Sequence, residues 1–411
     1  MSNGDRPSER DWVETPGILG GGAEWLRGEG PSSEVVLSSR VRLARNLAGF
    51  PFVARADRTE REHVLEAVRP VVDGLTPGVA RSSGSSGSGG PGGSGDHMSW
   101  IALHDSEPPE RQLLVERHLI SKQHADGTSA GDGAAAPGVR NCSGLSSPRA
   151  VAVSLPTERL SIMVNEEDHL RVQVLRTGLD LGGALAAIDA VDDALEATLD
   201  FAYSPRFGYL TCCPTNVGTG ARLSVMLHLP GLRLTGEIDK VKRAADSMSL
   251  AIRGFYGEGS EASGDFYQLS NQTTLGRSEK VLLHEMEHEI VPQVIDYERL
   301  ARERLLKHSR LMIEDRCARA LGLLRHARLL SAEEAMKALS QVRLGVVSGL
   351  IRDVDLRRVH ELMLLTQPAH LQRLAGRPLD QQERRSARAD LARERLTAAE
   401  RGDSGPADAG G

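Results

Sequence analysis

Four short stretches concentrate the residues that could handle a phosphoryl group: 37–46 (LSSRVRLARN), 164–171 (VNEEDHLR), 213–222 (CPTNVGTGAR) and 253–258 (RGFYGE). Each carries at least one arginine, and two carry a glutamate a few residues away. Arg40, Arg42, Arg171, Arg222 and Arg253 form a candidate clamp. Guanidinium forks match phosphate oxygens bidentately and stabilise charge on a transferring phosphoryl group. The chain has no Gly-x-x-x-x-Gly-Lys-Ser/Thr loop, no kinase Gly-rich loop and no His-Arg-Asp element. Phosphate binding would therefore rest on arginines and magnesium, not on a backbone cradle. Taken singly, each stretch has a plainer reading: a solvated strand face at Arg40 and Arg42, an exposed acidic turn at 166–168, a connecting loop at 214–220. Taken together they define a chemical task.

The elements that must position these residues are legible in part. Apolar runs at 150–155 and 160–164, separated by Pro156, predict a strand pair. Leu185, Ile188, Val191, Leu195 and Leu199 recur at helical spacing within 183–203, with Asp189, Asp192, Asp193 and Glu196 largely facing water. Strands are expected at 208–213 and 223–229, flanking a Pro/Asn/Gly turn, and a short helix at 237–248. Beyond about residue 278 the chain is charged, leucine-bearing and poor in breakers, and Ser331 with Glu334 makes a capping box. The fold class is α+β. A flexible segment 1–34 leads into a catalytic domain over 35–278. That domain is interrupted by a Gly/Ser insertion at 82–95 and a looser one at 127–147. A helical domain follows over 279–402, then a disordered tail at 403–411.

Composition sets limits. The 411 residues carry a formal charge of -6, which gives no global attraction to nucleic acid or to an anionic membrane. Cys142, Cys212, Cys213 and Cys317 are too few for a secreted disulfide framework. The first residues lack an apolar core, and no apolar run approaches membrane-spanning length, so a cytoplasmic location is expected.

These patterns resemble those of the ATP:guanido phosphotransferases, the family of creatine and arginine kinases. The string Asn165-Glu166-Glu167-Asp168-His169 and the turn Cys213-Pro214-Thr215-Asn216 are its most specific marks, and the match covers about 35–279. Within the family the chain is most similar to the bacterial protein-arginine kinases (McsB type), on the strength of 116–121 (ERHLIS) and 367–372 (QPAHLQ). The resemblance implies a sheet of antiparallel strands flanked by helices, with ATP and magnesium as cofactors. It implies that the five arginines hold ATP phosphates, with His118 near the nucleotide. Ser38, Ser39, Val41, Leu223, Ser224, Val225, Met226, Gly254, Phe255, Tyr256 and Gly257 would line the nucleotide site. Glu167 and Glu258 would grip the guanidinium, and Cys213 matches the family's active-site cysteine.

Two carboxylates suit that role. A guanidinium is roughly 9 pKa units, or about 13 kcal/mol, too basic for a free glutamate to deprotonate before reaction. Glutamate can orient the fork and accept the proton late, as phosphoryl transfer lowers the nitrogen's basicity.

The resemblance further implies protein substrates bearing arginine, a Clp-type protease and a stress repressor as partners, and a homodimer. It suggests a phosphoarginine-sensing site at Arg384 and Arg388, although Arg385 stands where the family pattern has aspartate. Only 37 residues precede Ser38, too few for the domain that covers a small guanidine, so a protein-borne arginine is the expected acceptor. The alternatives are a kinase of a free guanidino metabolite and a non-catalytic phosphoarginine-binding adaptor. His284-Glu285-Met286-Glu287-His288 fits a zinc-peptidase pattern, but no third ligand follows and a solvated helix face is the better reading. No protein-bound metal site is expected.

Overall fold

A computed structural model describes residues 23–75, 96–127, 144–254 and 263–401. The segment 82–95, most of 127–147, Cys142, the tail beyond 401, and Phe255, Tyr256, Gly257 and Glu258 lie outside the described residues.

The strands are β1 (Val36–Arg45), β2 (His97–Ala102), β3 (Ala150–Leu155), β4 (Leu160–Val164), β5 (Leu170–Thr177), β6 (Tyr203–Ser204), β7 (Gly208–Tyr209), β8 (Ala221–His228), β9 (Leu250–Gly254) and β10 (Phe266–Asn271). Eight of them form one sheet in the order β2-β3-β4-β5-β1-β8-β10-β9, while β6 and β7 pair as a separate hairpin. Every pairing in the sheet is antiparallel.

Register decides what each face carries. Side chains alternate with a period of two, and directly paired residues share a face. Arg42 pairs with Arg222 on one side and Gln173 on the other, and Ala44 pairs with Arg171. Ser38 pairs with Met226, Met226 with Gln268, and Gln268 with Arg253. One face therefore gathers all five candidate clamp arginines from four strands. The opposite face carries Val41, Leu43, Val172, Val174, Leu223, Val225 and Leu269, all buried. Each such side chain contributes roughly 1.5–3 kcal/mol of transfer free energy.

That apolar face packs against α4 (Leu181–Glu196), which also touches β1 and β5, and is extended by α1 (Arg58–Asp73). Helix α1 opens with a capping box from Asp57 and Glu60. The shorter α2 (Pro108–Glu116) and α3 (Lys122–Asp126) lie between β2 and β3 in the chain, and α5 (Pro230–Leu234) and α6 (Ile238–Ser247) between β8 and β9. Beyond the sheet come α7 (Glu279–His284), α8 (Val291–His308), α9 (Arg310–His326), α10 (Ala332–Val347), α11 (Leu356–Leu365), α12 (Pro368–Ala375) and α13 (Gln381–Arg401). A π-helical turn over Glu285–Ile290 joins α7 to α8. The helical region has its own core, built on Ile313, Leu324, Leu339, Val359 and Leu396.

The strands at 150–155 and 160–164 and the Ser331/Glu334 capping box appear as expected. Three expectations need correction. The predicted strand at 208–213 shrinks to Gly208–Tyr209 because the chain then turns into the Cys213 loop. Helix α4 stops at Glu196, and Asp192 is buried against Arg45 instead of facing water. Order begins before Val35: Trp25 and Leu26 are buried in the helical region's core despite their Gly/Pro-rich surroundings. Among the described residues no helix is long and apolar enough to cross a membrane.

Candidate active site

The arginine-bearing face opens into a cleft of about 320 Å³. Among the described residues its lining includes Arg40, Arg42, Arg171, Arg222, Arg253 and Lys122, against two carboxylates, Glu166 and Glu167. Six cations against two anions make an anion receptor. Burial first, then mutual repulsion with Arg222, Arg171 and Arg253, brings Arg40 down to about 10. Arg42 is pushed well down by the same causes, burial leading and Arg40 the strongest repeller, and its buried Nε has no acceptor among the described residues. An incoming polyanion would relieve this repulsion.

The carboxylates come from the β4–β5 turn. Asn165 takes a left-handed conformation (φ 61°) and donates from Nδ2 to Arg61 O at 2.9 Å and Pro148 O at 3.1 Å. The turn closes as Asn165 N donates to His169 O at 2.9 Å. His169 accepts at Nδ1 from Leu47 N and donates from Nε2 to Pro51 O, both at 2.9 Å, so its ring is neutral. Burial lowers it to about 4.

Asp168 ties this turn to the cysteine loop. Its Oδ1 accepts from Asn46 Nδ2 and from Cys212 N, each at 2.7 Å. On the loop's far side Arg45 bonds Asp192 through Nη2 at 2.6 Å, donates to Thr219 O at 2.9 Å, and stacks 3.5 Å over the Tyr209 ring. Gly220 permits this approach: its φ is 65°, and a Cβ there would stand 2.7 Å from Ala44 O. Cys213 reaches the cleft, with Sγ 3.0 Å from Thr215 Oγ1.

Arg171 bridges both glutamates, with Nη1 2.7 Å from Glu166 Oε2 and Nη2 2.8 Å from Glu167 Oε2. Glu166 also accepts from Ser121 Oγ at 2.6 Å. Burial would raise Glu166, but Arg171, His124 and Ser121 outweigh it and hold it low. Glu167 is raised by burial and by its acidic neighbours Glu166 and Asp168, with Arg171 opposing. Arg171 itself is raised, because the carboxylates outweigh its burial. Glu167 thus already holds a guanidinium in this state, in a geometry that a substrate guanidinium could adopt.

Not every expected residue reaches the cleft. Ser38 and Ser224 line a small adjoining pocket of about 20 Å³ together with Trp25, Arg40, His118 and Met226. His118 and Met226 line both spaces. Strand alternation turns Ser39, Val41, Leu223 and Val225 to the opposite face, where Ser39 donates to Gly178 O at 2.8 Å. Gly254 ends β9, buried. Arg388 is buried, with its guanidinium donating to Thr366 O at 2.7 Å and Leu330 O at 2.9 Å, and Arg384 donates to Leu379 O at 3.0 Å. His284 pairs with Glu289 at 3.4 Å, and Glu287 caps α4 through Leu181 N and Gly182 N. Among the described residues no three His, Cys, Asp or Glu side chains converge as metal ligands.

Sequence reasoning missed Lys122, Gln123, Gln173 and Gln268. Gln173 and Gln268 share the arginine face through register alone, a signal that appears only once strands are paired.

The chain is similar to known proteins over most of its length. The profile described as ATP:guanido phosphotransferase, C-terminal catalytic domain, matches residues 92–301. That described as protein-arginine kinase McsB C-terminal domain matches 310–406. The chain is 43% identical over 374 residues to the protein-arginine kinase of Halothermothrix orenii, covering 91% of this chain and 96% of that protein. It is 44% identical over 376 residues to that of Symbiobacterium thermophilum, covering 92% and 97%. Among solved structures it is similar to the duplicated taurocyamine kinase of Schistosoma mansoni, with TM-score 0.52 and 26% identity over 72% of this chain and 36% of that one. A lombricine kinase shares the fold, with TM-score 0.51 and 24% identity over 66% of this chain and 68% of that one. The chain belongs to the ATP:guanido phosphotransferase family and carries that family's catalytic domain followed by the C-terminal domain of its protein-arginine kinases.

Proposed function

We propose that this protein is an ATP-dependent protein-arginine kinase whose phosphotransfer site is the arginine-lined cleft. The observation that carries the reading is the convergence of all five arginines with Glu167 and Cys213 in one space. Arg40, Arg42, Arg171, Arg222 and Arg253 hold the triphosphate, and the nucleoside lies at the end of the cleft lined by His118 and Met226, next to the small pocket at Ser38 and Ser224. Glu167, together with Glu258, orients the acceptor guanidinium so that one Nη points at the γ-phosphorus. The Nη–P bond forms as the bond to the ADP oxygen breaks. The nitrogen's proton passes to Glu167, whose burial and acidic neighbours raise its proton affinity. Charge on the migrating phosphoryl group is met by guanidinium forks already in place, so positioning and electrostatics supply most of the rate.

Magnesium brought by the nucleotide would supply neutralisation of part of the phosphate charge; the described cleft carboxylates, Glu166 and Glu167, are engaged by Arg171 and are not assigned to hold it. Cys213, which lines the cleft, stands beside the acceptor cation. The proposed acceptors are arginines of protein chains, as the relatives' names state for those proteins. Action on a stress repressor, delivery to a Clp-type protease and a cytoplasmic location are proposals resting on resemblance and composition. Self-association is likewise a proposal resting on resemblance; exposed apolar side chains on α8 and α9 include Tyr297, Leu300, Leu311, Met312 and Leu323. The test is competition. Transfer to free arginine, creatine and an arginine-rich protein is measured under one set of conditions. The protein should have the highest specificity constant, and a clear preference for a free guanidine would overturn the choice of acceptor.

A further inference from the structure

Two sequence strings, 116–121 and 367–372, meet in space. Helix α12 starts at Pro368 without a side-chain cap of its own. Its first N–H groups are capped instead by Glu116, from the end of α2 in the catalytic domain. The Glu116 carboxylate accepts from Ala369 N at 2.9 Å, His370 N at 3.1 Å and His370 Nδ1 at 2.8 Å. Arg117 continues the contact, with Nη2 2.7 Å from Glu158 Oε1 and Nη1 3.4 Å from His370 Nε2. An arginine can only donate, so Nε2 is the acceptor and the His370 proton sits on Nδ1, facing Glu116. Glu116, Arg117 and His370 are all buried.

The next residue is His118, in a left-handed conformation (φ 61°), which lines both the cleft and the adjoining pocket. Its carbonyl accepts from Gln173 Nε2 at 2.7 Å and its ring meets Trp25 edge-on at 5.4 Å. Three residues on, Ser121 bonds Glu166. A single chain segment thus runs from the N-terminus of α12 to the wall of the cleft, held at Glu116, Arg117, His118 and Ser121. A non-glycine residue at positive φ persists only where its surroundings over-determine it.

We propose that Glu116 and His370 are positioning residues for phosphotransfer: their contact fixes the 116–121 segment so that His118 presents to the nucleotide, and the C-terminal helical domain thereby supports the nucleotide site from outside it. This rests on reading the cleft as that site. Neither residue touches the cleft, so both act through His118.

The experiment is a double-mutant cycle on the full-length protein, read as ATP affinity and as the split between KM for ATP and KM for the protein acceptor. Glu116→Gln leaves one acceptor for three N–H donors. It should raise the ATP dissociation constant and KM by about tenfold while KM for the acceptor stays within twofold, a selectivity that general destabilisation would not produce. In a His118→Ala background, Glu116→Gln should add less than twofold, because residues acting in series are not additive. His370→Asn, which keeps a donor for Glu116, should retain more ATP affinity than His370→Ala, and this pair serves if Glu116→Gln folds poorly. If His118→Ala weakens ATP but Glu116→Gln and His370→Ala leave it within twofold, the positioning role is overturned and the site reading stands. If His118→Ala itself leaves ATP binding unchanged, the placement of the nucleoside beside His118 falls, and this inference with it.

Discussion

Nucleotide binding should strengthen acceptor binding, by an amount the Arg171 contacts set. Arg171 occupies Glu167 from 2.8 Å, and Glu167 must release it before gripping a substrate guanidinium. The two side chains are only 14% and 19% exposed, so water screens the pair weakly and the surface value of about 0–1 kcal/mol does not apply. A charge-assisted hydrogen bond is worth about 1.5–3 kcal/mol. Without nucleotide, that cost falls on the acceptor. With nucleotide, the phosphates draw Arg171 away and meet the cost, leaving Glu166 as its remaining partner. The acceptor's affinity should therefore rise roughly tenfold to a hundredfold when a non-hydrolysable ATP analogue is bound. Calorimetric titration of an arginine-containing peptide, with and without the analogue, reads this directly. Arg171→Ala should abolish the coupling. A wild-type coupling below twofold, or one that survives Arg171→Ala, would refute the reasoning.

Other consequences are as definite. Gly220→Ala puts a Cβ 2.7 Å from Ala44 O at positive φ and should cost roughly 1–3 kcal/mol in a denaturant titration, together with most activity, since Arg222 follows two residues on. Arg45→Met leaves Asp192 buried without its partner and should destabilise by about 3–5 kcal/mol, seen as a lowered Tm. His169 is neutral in the fold and depressed to about 4, so its contribution is complete above pH 6.5 and is lost as pH falls toward 4. Unfolding measured across that window should fall by about 1.4 kcal/mol per pH unit from this group, and His169→Gln should flatten the profile.

Local pattern made some of this legible and topology hid the rest. Arg40 and Arg42 share a face because strands alternate, and that much is written in three consecutive residues. That Arg222 stands directly opposite Arg42, and Arg253 in line with Gln268, depends on strand order, which no local window contains. The 164–171 string announced acidic chemistry, but its burial depends on Asn46, Cys212 and Ser121 from distant segments. Asp192 lies among acidic neighbours on α4, and only the meeting with Arg45, 147 positions away, turns it inward. Arg343 offers no signal in its own neighbourhood, yet it is fully buried at the seam of the helical region, donating to Glu34 O, His228 and His360. Trp25 was hidden by glycine-rich flanks. Periodicity reveals faces; it does not reveal which faces meet.

The most direct test of the central claim is to incubate the protein and its Glu167→Gln variant with ATP, magnesium and an arginine-rich protein. The products are then read by mass spectrometry under conditions that preserve acid-labile phosphate. Wild type should place phosphate on arginine side chains. Glu167→Gln should place none while binding ATP within a few-fold of wild type, because Glu167 serves the guanidinium and not the nucleotide. Phosphate on serine, threonine or tyrosine, or a Glu167→Gln variant that labels arginine at near wild-type rate, would contradict the account.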